Sequence, residues 1–134
     1  MMIQIEPQSD IPIYTQLFNQ IVEGIAKGDI NPGDSLPSVR SLAADLGVNM
    51  HTVNKSYHEL EKKGIIQIVP KSGAVIQSPK TIAVGEALYE QLTVQWRPKI
   101  AESLVLGLEQ EQIHTLIESI VKDLKGSKNK GKKG

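Results

Sequence analysis

Apolar residues recur every four positions early in the chain, at Ile13, Leu17, Ile21 and Ile25, with polar residues between them. That spacing predicts a helix that buries one stripe and runs to about Lys27. Asp10 is suited to cap it and Pro12 to its first turn, where a missing N–H is harmless. Gly28-Asp29-Ile30-Asn31-Pro32-Gly33-Asp34 is turn chemistry and ends it. A short extended piece at Ser35-Leu36 follows, because Pro37 disfavours helix at the residue before it. A second helix is predicted from about Ser38 to Leu46, with Val39, Leu42, Ala43 and Leu46 inward. Gly47 ends it and supplies the positive φ of a sharp turn. Asn49 then caps a third helix, about Met50 to Lys63, whose inward residues are Val53, Tyr57 and Leu60. Past Gly64, Ile65 to Val69 and Ala74 to Gln77 read as two strands around Pro70-Lys71-Ser72-Gly73. Two helices meeting at a tight turn and followed by a hairpin make a winged helix-turn-helix.

Ser78-Pro79-Lys80 reads as a joint, and the pattern changes beyond it. Leu88, Leu92, Trp96, Ile100 and Leu104 stripe one long predicted helix, about Ile82 to Leu106, which Pro98 should kink. After a break at Gly107, Ile113, Leu116, Ile117, Ile120 and Leu124 stripe a second, about Gln110 to Leu124. Two such helices cannot enclose a core alone, so pairing with a second copy of the chain is the favoured expectation over folding back on the winged domain. The stretch from Lys125 to Gly134 has no apolar residue and is expected to be disordered. The expected organisation is therefore α+β: an N-terminal winged helix-turn-helix at 1–79, an all-α dimerisation region at 80–124, and a Lys-rich tail at 125–134.

Composition narrows the classes. The 134 residues contain no Cys, which excludes disulfides and thiolate metal sites and makes a reducing cytoplasm the default. No apolar run reaches the length of a membrane span, and the N-terminus lacks a signal peptide's pattern. Fifteen bases balance fifteen acids, which argues mildly against a nucleic-acid binder. The distribution matters more. Within residues 1–80, most bases (Lys55, Lys62, Lys63, Lys71, Lys80) fall in or after the third helix, while most acids precede it. That distribution allows a local basic face on a neutral domain.

The second helix of a helix-turn-helix presents its N-terminal end to base edges. Here that end carries Met50, His51, Asn54 and Lys55, pointing away from the Val53/Tyr57/Leu60 stripe. Asn54 suits a bidentate contact to adenine, and Lys55 a guanine or a phosphate. Ser38, Asn49 and Thr52 stand at helix starts, where hydroxyls and N–H groups meet phosphates. Arg40 can reach a phosphate or a guanine, and Lys71, Ser72 and Gly73 sit at the wing tip, where glycine allows close approach. A solvated polar face is the plain alternative for each of these residues. His51 and His58 are seven apart without supporting ligands, so no metal site is expected, and His114 reads as a surface or interface residue. Trp96 and Tyr89 read as packing residues. No cofactor, nucleophile–base pair or phosphate loop is seen, so no enzyme is expected.

Three segments carry a family resemblance: Ile11-Pro12-Ile13-Tyr14-Thr15-Gln16-Leu17; Pro32-Gly33-Asp34-Ser35-Leu36-Pro37-Ser38-Val39-Arg40-Ser41-Leu42-Ala43; and Leu46-Gly47-Val48-Asn49 with Thr52-Val53 and Tyr57. Over about residues 10–77 they resemble the GntR family of bacterial repressors. The two-helix remainder, about 80–124, resembles its YtrA subfamily in length and pattern. The resemblance implies a homodimer on an inverted-repeat operator, with Arg40 and the start of the third helix on DNA. It also implies repression of an operon that includes the regulator's own gene and ABC-transporter genes. Two departures stand out. Pro70-Lys71-Ser72-Gly73-Ala74 replaces the family's Gly-x-Gly-Thr wing, and Met50-His51 stands where many relatives have Pro-Asn. The rival reading is a winged-helix protein-interaction module that does not bind specific DNA. The sequence names no small-molecule effector.

Overall fold

A computed structural model describes residues 2–78 and 85–133. The order of elements is α1 (Ile13–Lys27), β1 (Ser35–Leu36), α2 (Val39–Leu46), α3 (Met50–Lys62), β2 (Ile66–Val69), β3 (Gly73–Ile76), α4 (Gly85–Val105) and α5 (Gln110–Lys133). The first six form one compact unit built on Met1–Pro79; a second unit is built on Lys80–Gly126.

In the first unit the helical stripes converge. Leu17 and Ile21 of α1 meet Val53, Tyr57 and Leu60 of α3, all fully buried, with Leu42 and Ala43 of α2 closing one side. Ile66, Ala74 and Ile76 bring the sheet against this core. The strands are antiparallel in the order β1-β3-β2, with Leu36 opposite Ala74 and Ile66 opposite Ile76. Val69 pairs with Gly73 across a three-residue loop, closed by Ser72 N–H donating to Val69 C=O at 3.0 Å. Tyr57 reaches through the core to donate its hydroxyl to Pro37 C=O at 2.7 Å, and burial pushes its pKa up to about 12.

The start of α1 departs from expectation. Pro12, not Asp10, is its N-cap, and no side chain caps it. Gln16 does related work from one turn inside. Its side chain is almost completely buried, donates to Glu6 C=O (3.0 Å) and Ile11 C=O (2.8 Å), and accepts from Glu6 N–H (2.8 Å). One turn on, Gln20 exchanges the same pair of bonds with Gln4. Two amide side chains four residues apart thus act as backbone surrogates. They lay the segment before Pro12 along α1, so that Ile3 packs against the core.

In the second unit, α4 passes through Pro98 without ending. The part of the expected helix at 82–84 lies outside the described residues. Leu108, Glu109 and Gln112 start α5 with a capping-box bond, the Gln112 side chain accepting from Glu109 N–H at 2.8 Å. Helix α5 then runs on to Lys133, through most of the stretch expected to be disordered.

Candidate nucleic-acid interface

Ser38 and Asn49 are both helix caps. Ser38 Oγ accepts from Ser41 N–H at 3.1 Å, and Asn49 Oδ1 accepts from His51 N–H at 2.7 Å. Gly47 between them has φ 69°, a left-handed turn that a side chain would strain, and it sets α3 off sharply from α2. The Asn49 side chain therefore already serves its own helix, leaving its amide N–H groups to face outward. Thr52 N–H bonds Asn49 C=O at 3.0 Å, so only the Thr52 hydroxyl remains for a ligand; its helix-start N–H, expected to be available, is used.

Because Val53, Ser56, Tyr57 and Leu60 are all buried, the opposite side of α3 is forced outward. Met50, His51, Asn54, Lys55 and His58 are exposed there, Met50 to 46% despite its apolar side chain. Arg40, at the second position of α2, is exposed and joins no ion pair among the described residues. Met50, His51 and Asn54 thus sit at the leading end of a helix whose rear is fixed by the core.

The wing is attached to the same helix. Glu61, near the end of α3, accepts from Ile68 N–H at 2.8 Å, a charge-assisted bond that holds β2 against it. At the wing tip Lys71 and Ser72 are exposed, and Lys71 occupies a left-handed conformation, φ 68°. Gly73 is placed otherwise. It is buried, and a Cβ there would lie 2.1 Å from Leu36 C=O and 2.9 Å from the Pro37 carbonyl carbon. The glycine admits the protein's own β1 backbone, a close approach that a side chain would block.

Two residues that support this face escape the sequence reading. Ser56 is fully buried and donates its hydroxyl to Tyr14 C=O, tying α3 to α1. Its position was legible: 53, 56, 57 and 60 complete the i, i+3, i+4, i+7 spacing of one helical face. Tyr14 carries the Lys55 ammonium over its ring, 3.9 Å from the centroid. No periodicity pairs residues so far apart in sequence.

Among the described residues no cluster of His, Asp or Glu is placed to hold a metal ion, and no helix is long and apolar enough to cross a membrane. The residues expected to pair two chains lie on α4 and α5. Leu88, Trp96, Leu104, Leu116, Ile117 and Ile120 are exposed, Leu92, Ile100 and Leu124 are half-buried, and Ile113 is buried, only 6% exposed.

Comparison with known proteins agrees with this architecture. Residues 13–76 match "Bacterial regulatory proteins, gntR family". The chain is 39% identical over 127 residues to the HTH-type transcriptional repressor YtrA of Bacillus subtilis, covering 95% of this chain and 98% of that protein. A crystal structure described as a transcriptional antiterminator from Listeria monocytogenes superposes with a TM-score of 0.82 at 30% identity, over 92% of both chains. AraR(DBD), crystallised in complex with operator ORX1, superposes with a TM-score of 0.51 at 25% identity, over 57% of this chain and 98% of that one. With its winged helix and two-helix C-terminal region, the chain belongs to the GntR family of bacterial regulatory proteins, in its YtrA-like branch.

Proposed function

We propose that this protein represses transcription by binding an inverted-repeat operator as a homodimer in the bacterial cytoplasm. The observation that carries the reading is the leading end of α3, where Met50, His51, Asn54 and Lys55 are exposed on a helix whose other side is wholly buried. Such an end fits the major groove, where an Asn side chain can pair with an adenine edge. Arg40, Ser38, Asn49, Thr52, Lys71 and Ser72 flank it as phosphate or base contacts. The operator complex of AraR(DBD) supports the same use of the fold. Two copies joined through α4 and α5 would hold their reading helices about one DNA turn, or a small multiple, apart. From the subfamily resemblance in the sequence, the proposed target includes the protein's own operon and transporter genes of the ABC type.

The test is a titration against the DNA upstream of the protein's own gene, at two salt concentrations, with an unrelated fragment as competitor. Tight, competitor-resistant binding that weakens steeply with salt supports the proposal. Binding no tighter than to the competitor removes it and favours a protein-interaction module.

A further inference from the structure

We propose that Tyr14 is a positioning residue for DNA binding: its ring holds the Lys55 ammonium at the outer face of α3 without cancelling its charge, ready for a backbone phosphate. This rests on the operator-binding reading above. Lys55 has an acidic residue one turn further along its own helix, Glu59, yet makes no ion pair with it; its Nζ lies 3.9 Å from the centre of the Tyr14 ring instead. A Lys that precedes its Glu by four residues is the weaker order for a helical ion pair, which lowers the competition from Glu59. The two arrangements differ in consequence. A carboxylate would neutralise the ammonium and take up its donors. An aromatic face attracts the cation through its quadrupole and leaves the charge, and the N–H groups turned from the ring, available to an anion.

The backbone that carries the ring is itself fixed. Ser56, the neighbour of Lys55, is fully buried and donates its hydroxyl to Tyr14 C=O. Adjacent residues of α3 therefore grip Tyr14 at two points, backbone and ring. Tyr14, Phe18 and Lys55 line one open cleft of about 340 Å³ between α1 and α3, with Glu59 and Lys63 further along. A lysine side chain normally loses several rotatable bonds of freedom when it meets a phosphate. One already held against a ring loses less, so the contact strengthens binding without adding a charge.

The experiment is a double-mutant cycle on the full chain, using a duplex selected from a random pool by the wild-type protein. Lys55→Met should weaken binding about fivefold and reduce the salt slope by about one. Tyr14→Leu should weaken binding about threefold, while Tyr14→Phe, which keeps the ring, should bind like the wild type. In the Lys55→Met background, Tyr14→Leu should cost nothing further. Additive losses would overturn the proposal, as would a Tyr14→Phe variant as weak as Tyr14→Leu, since the hydroxyl would then be the contact. Melting temperature separates a folding defect from a binding one. The ring-current shift of the Lys55 ε-methylene in the free protein should persist in Tyr14→Phe and vanish in Tyr14→Leu. Its absence from the wild type overturns the proposal whatever the DNA result. A wild type that shows the shift yet selects no duplex overturns the operator reading, and this proposal with it.

Discussion

The two units of the chain solve the same problem differently. The winged helix buries its apolar residues against one another: Leu17, Ile21, Val53, Tyr57 and Leu60 have no exposed surface. The C-terminal unit does not. No residue of α4 is buried, and α4 is apolar on opposite sides. Leu88, Leu92, Trp96, Ile100 and Leu104 run along one, while Ala87, Val94 and Ala101, seven apart, mark the other with Val105 nearby; Val94 is 73% and Val105 85% exposed. A helix that is apolar on two sides needs two partners, and α5 can supply only one. Exposed apolar surface of this kind on a regulatory protein marks an interaction site. The first unit is built to present a surface, the second to find one.

The contrast can be tested from both ends. Leu60→Ala opens a cavity at the centre of the first unit and should lower unfolding free energy by about 2–5 kcal/mol, measured by denaturant titration. A loss below about 1 kcal/mol would mean that the unit does not depend on this core. Leu116→Glu with Ile120→Glu should leave the first unit's fold intact, give a monomer in sedimentation, and weaken operator binding by about 100-fold through lost avidity. A double variant that still sediments as a dimer would move the interface, first to the Val94/Val105 side of α4. Arg40→Ala should leave both fold and assembly unchanged and weaken operator binding by at least about 1 kcal/mol; unchanged affinity would remove Arg40 from the interface.

The smallest effect is a pH dependence confined to the first unit. Tyr57 has its folded pKa raised by burial to about 12 from the ordinary 10.0. Its contribution to stability is therefore fully present below pH 10 and lost as pH rises through 12. Tyr57→Phe should remove that alkaline slope and, by leaving Pro37 C=O without its partner, lower stability by about 1 kcal/mol at neutral pH. A slope that survives in Tyr57→Phe would assign it to other groups.

Much of the fold was legible because its signals are local. Four-residue apolar spacing placed α1 and α3, Ser38 and Asn49 were recognisable caps, and Gly47 marked the turn between the helices of the motif. The errors have a common origin. Asp10 had the right chemistry for a cap, but the segment before Pro12 is held by Gln16 and Gln20, whose partners lie up to 16 residues away. The packing of Leu36 and Pro37 against Gly73 was hidden for the same reason, since nothing in the sequence shows them lying there.

By itself, then, the amino-acid order determined which residues form each element and which side of each element is apolar, since periodicity and end signals act within a few residues. Tertiary structure alone decided what each polar residue is left free to do. It set Lys55 over Tyr14 and hid Gly73 beneath β1. Those outcomes depend on contacts between segments distant in the chain. A hydrogen bond or a cation–π contact is fixed by position in space, which sequence spacing does not encode.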